Sequence, residues 1–140
     1  MSPAFLLDTN ALSEPLKPRP NSSFLKKLRS HEATVAIASI TWHEALYGCY
    51  RLAAGRRRTA VEEYLRNVIA PNVPILPYDD AAAEWHAVQR ARLGARGRLV
   101  PFADGQIAAI AAVRGLAIVT ANTKDFAPFT GIRIERWWEA

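Results

Sequence analysis

Cysteine is almost missing from this 140-residue chain. Cys49 stands alone, which excludes an intramolecular disulfide and any zinc site built on a pair of thiolates. It also has no basic companion marking a thiolate nucleophile. The three histidines, His31, His43 and His86, show no HExxH or other ligand spacing, so they offer no rival metal site. No apolar run reaches transmembrane length, and the first residues lack the basic region and small-residue cleavage site of a secretory signal. The expectation is a cytoplasmic protein with no membrane association. Internal repeats and domain linkers are lacking too, so residues 1–140 read as one domain, large enough for a full hydrophobic core.

Apolar residues make up 50% of the chain and charged residues 22%, the balance of a globular rather than a disordered protein. The formal charge is +5 and the pI about 9.8, which fits a polyanionic partner. Arg56, Arg57 and Arg58 cluster with Arg51 and Arg66, and Arg90, Arg92, Arg96 and Arg98 form a second group. Basic groups on one face attract phosphates without sequence preference. The plainer reading makes both clusters solvated helix ends.

The pattern alternates between strands and helices. Phe5-Leu6-Leu7 reads as a short buried strand ending on Asp8-Thr9-Asn10. A helical turn, Ala11 to Glu14, is stopped by Pro15. Asn21 or Ser22 caps a helix with Phe24, Leu25 and Leu28 inward. Ala33 to Ala38 is a second strand, small and branched enough for the interior of a parallel sheet. Ser39 or Thr41 starts a helix through Trp42, Ala45 and Leu46, and another runs from Thr59 to about Ala70. Val73 to Leu76 is a short strand. Asp79 or Asp80 opens a long helix whose inward members are Ala82, Trp85, Val88 and Leu93. After Asp104 comes an alanine-rich helix ended by Gly115, then a strand at Leu116 to Val119, one helical turn at Thr123 to Phe126 and an edge strand at Ile132 to Ile134. Trp137 and Trp138 anchor the tail or meet a partner. Right-handed crossovers then predict an α/β fold, one parallel sheet with helices on both faces.

Four acids occupy matching places in that pattern. Asp8, Glu44, Asp104 and Asp125 each follow a strand or sit in the first turns of a helix, and in a doubly wound sheet those places converge at the carboxyl edge. Three of the chain's five aspartates fall there. Gathered carboxylates repel, and a cation at their centre is what makes such a cluster tolerable. All-oxygen ligands suit Mg²⁺ or Mn²⁺ better than zinc. Each acid also has a bland role open to it. Thr41 to Glu44 has the spacing of a capping box, Asp104 could be a helix N-cap, and Asp125 could be an acidic first-turn residue.

The stretches Leu6-Leu7-Asp8-Thr9-Asn10 with Leu12-Ser13-Glu14, Ser39 to Glu44, Pro101 to Ala109, and Thr120-Ala121-Asn122-Thr123-Lys124-Asp125-Phe126 together resemble the PIN-domain ribonucleases, specifically the toxin of a VapBC-type pair. The resemblance spans nearly the whole chain, in order and at the expected spacing. It implies a three-layer α/β/α sandwich around a central, mostly parallel sheet. The family's acids fall on Asp8, Glu44 and Asp104, with a fourth position at Asn122 or Asp125. Many relatives have aspartate where this chain has Asn122, and close ones often have arginine at Ala121. Thr9, Asn10 and Thr120 are expected to support the acids from behind, and Gln106 is either a substrate contact or surface.

The resemblance further implies a metal-dependent endoribonuclease. Mg²⁺ or Mn²⁺ held by the acids would serve RNA phosphodiester hydrolysis, leaving a 5′-phosphate and a 3′-hydroxyl. It implies a cognate antitoxin, expected on a separate chain at this length, and a homodimer. Trp42, Leu46 and Tyr50, with Tyr47 beside them, are read as core or as a surface for either partner. A catalytically inactive nucleic-acid-binding or scaffold protein on the same fold is the alternative. A receiver-type phosphoryl domain fits poorly, because only one acid follows the first strand and Lys124 is misplaced for its lysine.

Overall fold

The computed structural model describes residues 2–139. Its centre is a five-stranded sheet in the order β3-β2-β1-β4-β5, built from β1 (Phe5–Leu7), β2 (Val35–Ala38), β3 (Ile75–Leu76), β4 (Ala117–Val119) and β5 (Arg133–Glu135). Every pairing is parallel, with Leu6 opposite Ala36 on one side and Ile118 on the other. The three middle strands are the apolar ones, as a sheet covered on both faces requires. Their side chains alternate between two cores. Leu6, Ala36, Ala38 and Ile118 face the core that holds Ala82, Leu93 and Ile107 to Ala111. Leu7, Val35, Ile37 and Val119 face the other, with Leu12, Phe24, Cys49, Leu65 and Trp137.

The helices are α1 (Thr9–Ser13), α2 (Ser22–His31), α3 (Ser39–Tyr50), α4 (Arg56–Glu63), α5 (Ala70–Asn72), α6 (Asp80–Ala95), α7 (Phe102–Arg114) and α8 (Thr123–Phe126). A π-helical segment, Tyr64–Ile69, joins α4 to α5, a widening that periodicity does not announce. Asn21 caps α2 by accepting from the Phe24 amide at 3.0 Å, and Asp79 caps α6 in the same way on Ala82. Gly115 ends α7 in the left-handed conformation at φ 68°, which its missing Cβ allows.

Several expectations change. Val88 is exposed, and α6 instead buries Ala82, His86, Gln89 and Leu93. That face tolerates two polar residues because each has a partner. His86 Nδ1 lies 2.8 Å from the Tyr78 hydroxyl, and the Gln89 amide donates to Thr130 Oγ1 at 3.1 Å. Helix α7 begins at Phe102, so Asp104 sits within its first turn and is not the N-cap. The Thr41–Glu44 capping box does not form: α3 has no side-chain cap, and the buried Thr41 hydroxyl finds no partner among the described residues. Trp137 and Trp138 do anchor the tail. Both are buried, and Trp138 stacks on Phe24 with ring centroids 4.6 Å apart.

Candidate active site

The strand order reverses between β1 and β4, the place where open α/β sheets form their ligand crevice. Asp8 stands at that point. Its amide donates to the Val119 carbonyl at 3.1 Å, and its own carbonyl accepts the Leu12 amide at 2.9 Å. The side chain caps α1 by accepting the Ala11 amide at 2.8 Å. Asp8 is 7% exposed. Burial pushes its carboxyl above the ordinary 3.8; Thr120 and the amides of Ala11 and Asn10 pull it back, while the Asp125 charge adds to the rise. Thr120 is wholly buried, and its hydroxyl also accepts the Asn122 amide at 2.9 Å.

The other acids arrive from later elements. Glu44, on α3, accepts the Thr9 hydroxyl at 2.7 Å, so the residue after Asp8 fixes a carboxylate 35 positions away. Asp104 is half-buried in the first turn of α7, where the helix dipole favours an anion. Its pKa is nevertheless raised to about 6, by burial first and then by the charges of Asp125, Glu44 and Asp8. Asn122 precedes α8, its side chain making no cap bond, and its carbonyl accepts the Asp125 amide at 3.0 Å.

Asp8, Thr9, Asn10, Glu44, Asp104, Asn122 and Asp125 line one pocket of about 160 Å³, which Thr120 does not line. Two lining residues escaped the sequence reading, Ile107 and Phe126. Each lies close to an acid in sequence. Gln106 is not a lining residue. Behind Asp104, α7 meets α6 closely at Gly105, where a Cβ would collide with the His86 ring. Burial and then the nearby Arg90 keep the His86 pKa below 6.5. A wider apolar groove of about 700 Å³, between α2 and the α4–α5 segment, contains none of the acids.

The pocket offers oxygen donors only. Among the described residues, no three His, Cys, Asp or Glu side chains converge closely enough to hold an ion together. Oxygen donors are the ligand chemistry of Mg²⁺ and Mn²⁺ rather than of zinc.

Residues 5–129 match the PIN domain, and the chain belongs to that family. Its relatives include an endonuclease and a toxin. It is 35% identical over 133 residues to the tRNA(fMet)-specific endonuclease VapC of Shigella flexneri, covering 95% of this chain and 97% of that one. It is 36% identical over 124 residues to toxin FitB of Neisseria gonorrhoeae, covering 86% and 89%. Among solved structures, FitAcB from Neisseria gonorrhoeae superposes with a TM-score of 0.87 at 33% identity, covering 97% of this chain and 99% of that one. DNA-bound VapBC from Salmonella typhimurium gives 0.81 at 34%, covering 96% and 98%. The predicted α/β sandwich is therefore the observed fold. No helix among the described residues is long and apolar enough to cross a membrane.

Proposed function

We propose that this chain is a metal-dependent endoribonuclease toxin that hydrolyses RNA phosphodiester bonds and is neutralised by an antitoxin on a separate chain. One observation carries the reading: four carboxylates from distant segments share a small pocket, and burial followed by their mutual repulsion lifts Asp104 to about 6. A folded protein keeps such an arrangement at a cost in stability, and a divalent cation offsets it. Asp8, Asp104, Glu44 and Asp125 would hold Mg²⁺ or Mn²⁺, directly or through water. Bound there, such an ion would make a coordinated water more acidic and would compensate charge on the phosphoryl oxygens.

The chain's own residues do the positioning. Ala11 and Thr120 fix Asp8, and Thr9 fixes Glu44. Asn122 contributes an amide where a fifth carboxylate would add repulsion. The partner reading draws on similar solved structures, a member of the VapBC family of toxin–antitoxin systems from Mycobacterium tuberculosis and a toxin–antitoxin complex from Klebsiella pneumoniae. A homodimer is part of the same proposal.

The test is RNA cleavage with Mg²⁺ or Mn²⁺, comparing the wild type with Asp8→Asn and Asp104→Asn. Cleavage by the wild type alone supports the reading. Equal cleavage by all three overturns it, and metal-independent RNA binding without turnover favours the inactive binding protein.

A further inference from the structure

Helix α3 carries Glu44 to the pocket, and its solvent face carries something the pocket does not use. His43, Tyr47 and Arg51 are spaced four residues apart, so they form one stripe. Their side chains are stacked: the His43 and Tyr47 rings lie parallel within 4° at 6.2 Å, and the Arg51 guanidinium lies 5.5 Å from the centre of the Tyr47 ring. Tyr50, beside this stripe, has Arg58 of α4 over its ring at 5.3 Å. Tyr47 is 58% exposed and Tyr50 41%. Among the described residues the salt bridges are Lys17–Glu14 and Arg66–Glu62, which leaves Arg51 and Arg58 with no carboxylate. Glu44 is three residues before Tyr47 and therefore one turn away on adjoining surface, and Arg51 stands about 10 Å along the axis from Glu44.

We propose that this face of α3 is the track along which single-stranded RNA enters or leaves the carboxylate pocket, with a base displacing the Arg51 guanidinium from the Tyr47 ring and phosphates held by the released Arg51 and by Arg58. The inference rests on the ribonuclease reading of the pocket. Charge and shape argue for this occupant. Four acids repel a polyanion, so binding needs cations close by that are not already neutralised, and these two are free. Exposed aromatic rings next to guanidinium groups accept the face of any unstacked base. A duplex hides its base faces, which selects a single strand.

The experiment measures binding of a fluorescent, unstructured oligoribonucleotide to Asp104→Asn protein without added metal, so that nothing is cut. Adding Tyr47→Ala weakens binding about tenfold, and Tyr47→Phe restores it. Adding Arg51→Ala weakens binding and lowers the slope against log salt by about one. An abasic strand of equal length loses the dependence on Tyr47 but keeps that on Arg51. Unchanged binding in Tyr47→Ala and Arg51→Ala overturns the inference. So does a fall in sedimenting mass for Tyr47→Ala, which shows that a second copy of the chain covers this face. Wild-type cleavage with Mg²⁺ is scored separately. RNA bound through Tyr47 but never cut defeats only the nuclease reading, whereas RNA cut with indifference to Tyr47 defeats only the track.

Discussion

Asp8 and Glu14 lie six positions apart at opposite ends of the short α1 turn, and both are nearly sealed from solvent, at 7% and 2% exposure. They behave oppositely. Glu14 is surrounded by donors: the Trp138 indole at 2.8 Å, the Asn21 amide at 2.9 Å and the Lys17 ammonium at 2.9 Å. Burial alone would raise its carboxyl, but these three hold it below the ordinary 4.5. Asp8 also has donors, yet its neighbours include Asp125, Glu44 and Asp104, and its carboxyl ends above its ordinary value. Both are covered, and the balance against burial differs: at Glu14 the donors outweigh it, whereas at Asp8 burial outweighs the donors and the Asp125 charge adds to the rise.

That contrast can be broken most forcefully by exchanging the acids for neutral residues. Asp8→Asn keeps an acceptor for the Ala11 amide, so folding stays within about 1 kcal/mol, while RNA cleavage falls about a hundredfold or more. Glu14→Ala leaves the pocket lining intact and strands buried donors. Urea unfolding should show a loss of about 3 kcal/mol with turnover of the remaining folded protein unchanged. If the two variants trade effects, the distinction between the acids is wrong.

A smaller effect comes from Thr9→Val, which removes the hydroxyl that orients Glu44. Cleavage drops about tenfold with no change in the unfolding midpoint of comparable size. The finest test is titration. Asp104 is raised from 3.8 to about 6, so the metal-free folded state binds its proton more readily than the unfolded chain. Its contribution to stability is fully present below 3.8 and is lost as pH climbs through about 6. Glu14 runs the other way: its contribution is present above 4.5 and is lost as pH falls through its lowered value. Unfolding curves across this range for Asp104→Asn and Glu14→Gln should therefore depart from the wild type with opposite slopes. Carbon NMR of Asp104 in Asp125→Asn should show its pKa falling below about 6, because the leading charge contribution is gone.

Glu14 also marks where residues alone stop being readable. The acids of the pocket were legible because each follows a strand or opens a helix, and strand–helix order alone fixes where those junctions converge. Glu14 looked like an ordinary end to a helical turn, since the indole that claims it lies 124 positions away. The capping box at Thr41 failed because α3 starts earlier, at Ser39, which leaves Thr41 inside the helix and Glu44 accepting the Thr9 hydroxyl instead. The inward face of α6 was misread at Val88 because hydropathy does not reveal that His86 and Gln89 find partners in Tyr78 and Thr130. Local pattern placed the elements and most of the pocket. Polar pairs between distant segments decided the exceptions.

The placement of β1 between β2 and β4 carries one more consequence. The pocket draws on positions 8, 44, 104 and 125, and its first acid takes its place only when β4, more than a hundred residues downstream, has docked alongside. No peptide fragment, partly folded chain or product of a single proteolytic cut that separates those segments brings all four acids together. For a protein read as a toxin, this ties danger to completeness: the cutting centre exists in the finished fold and in none of its pieces.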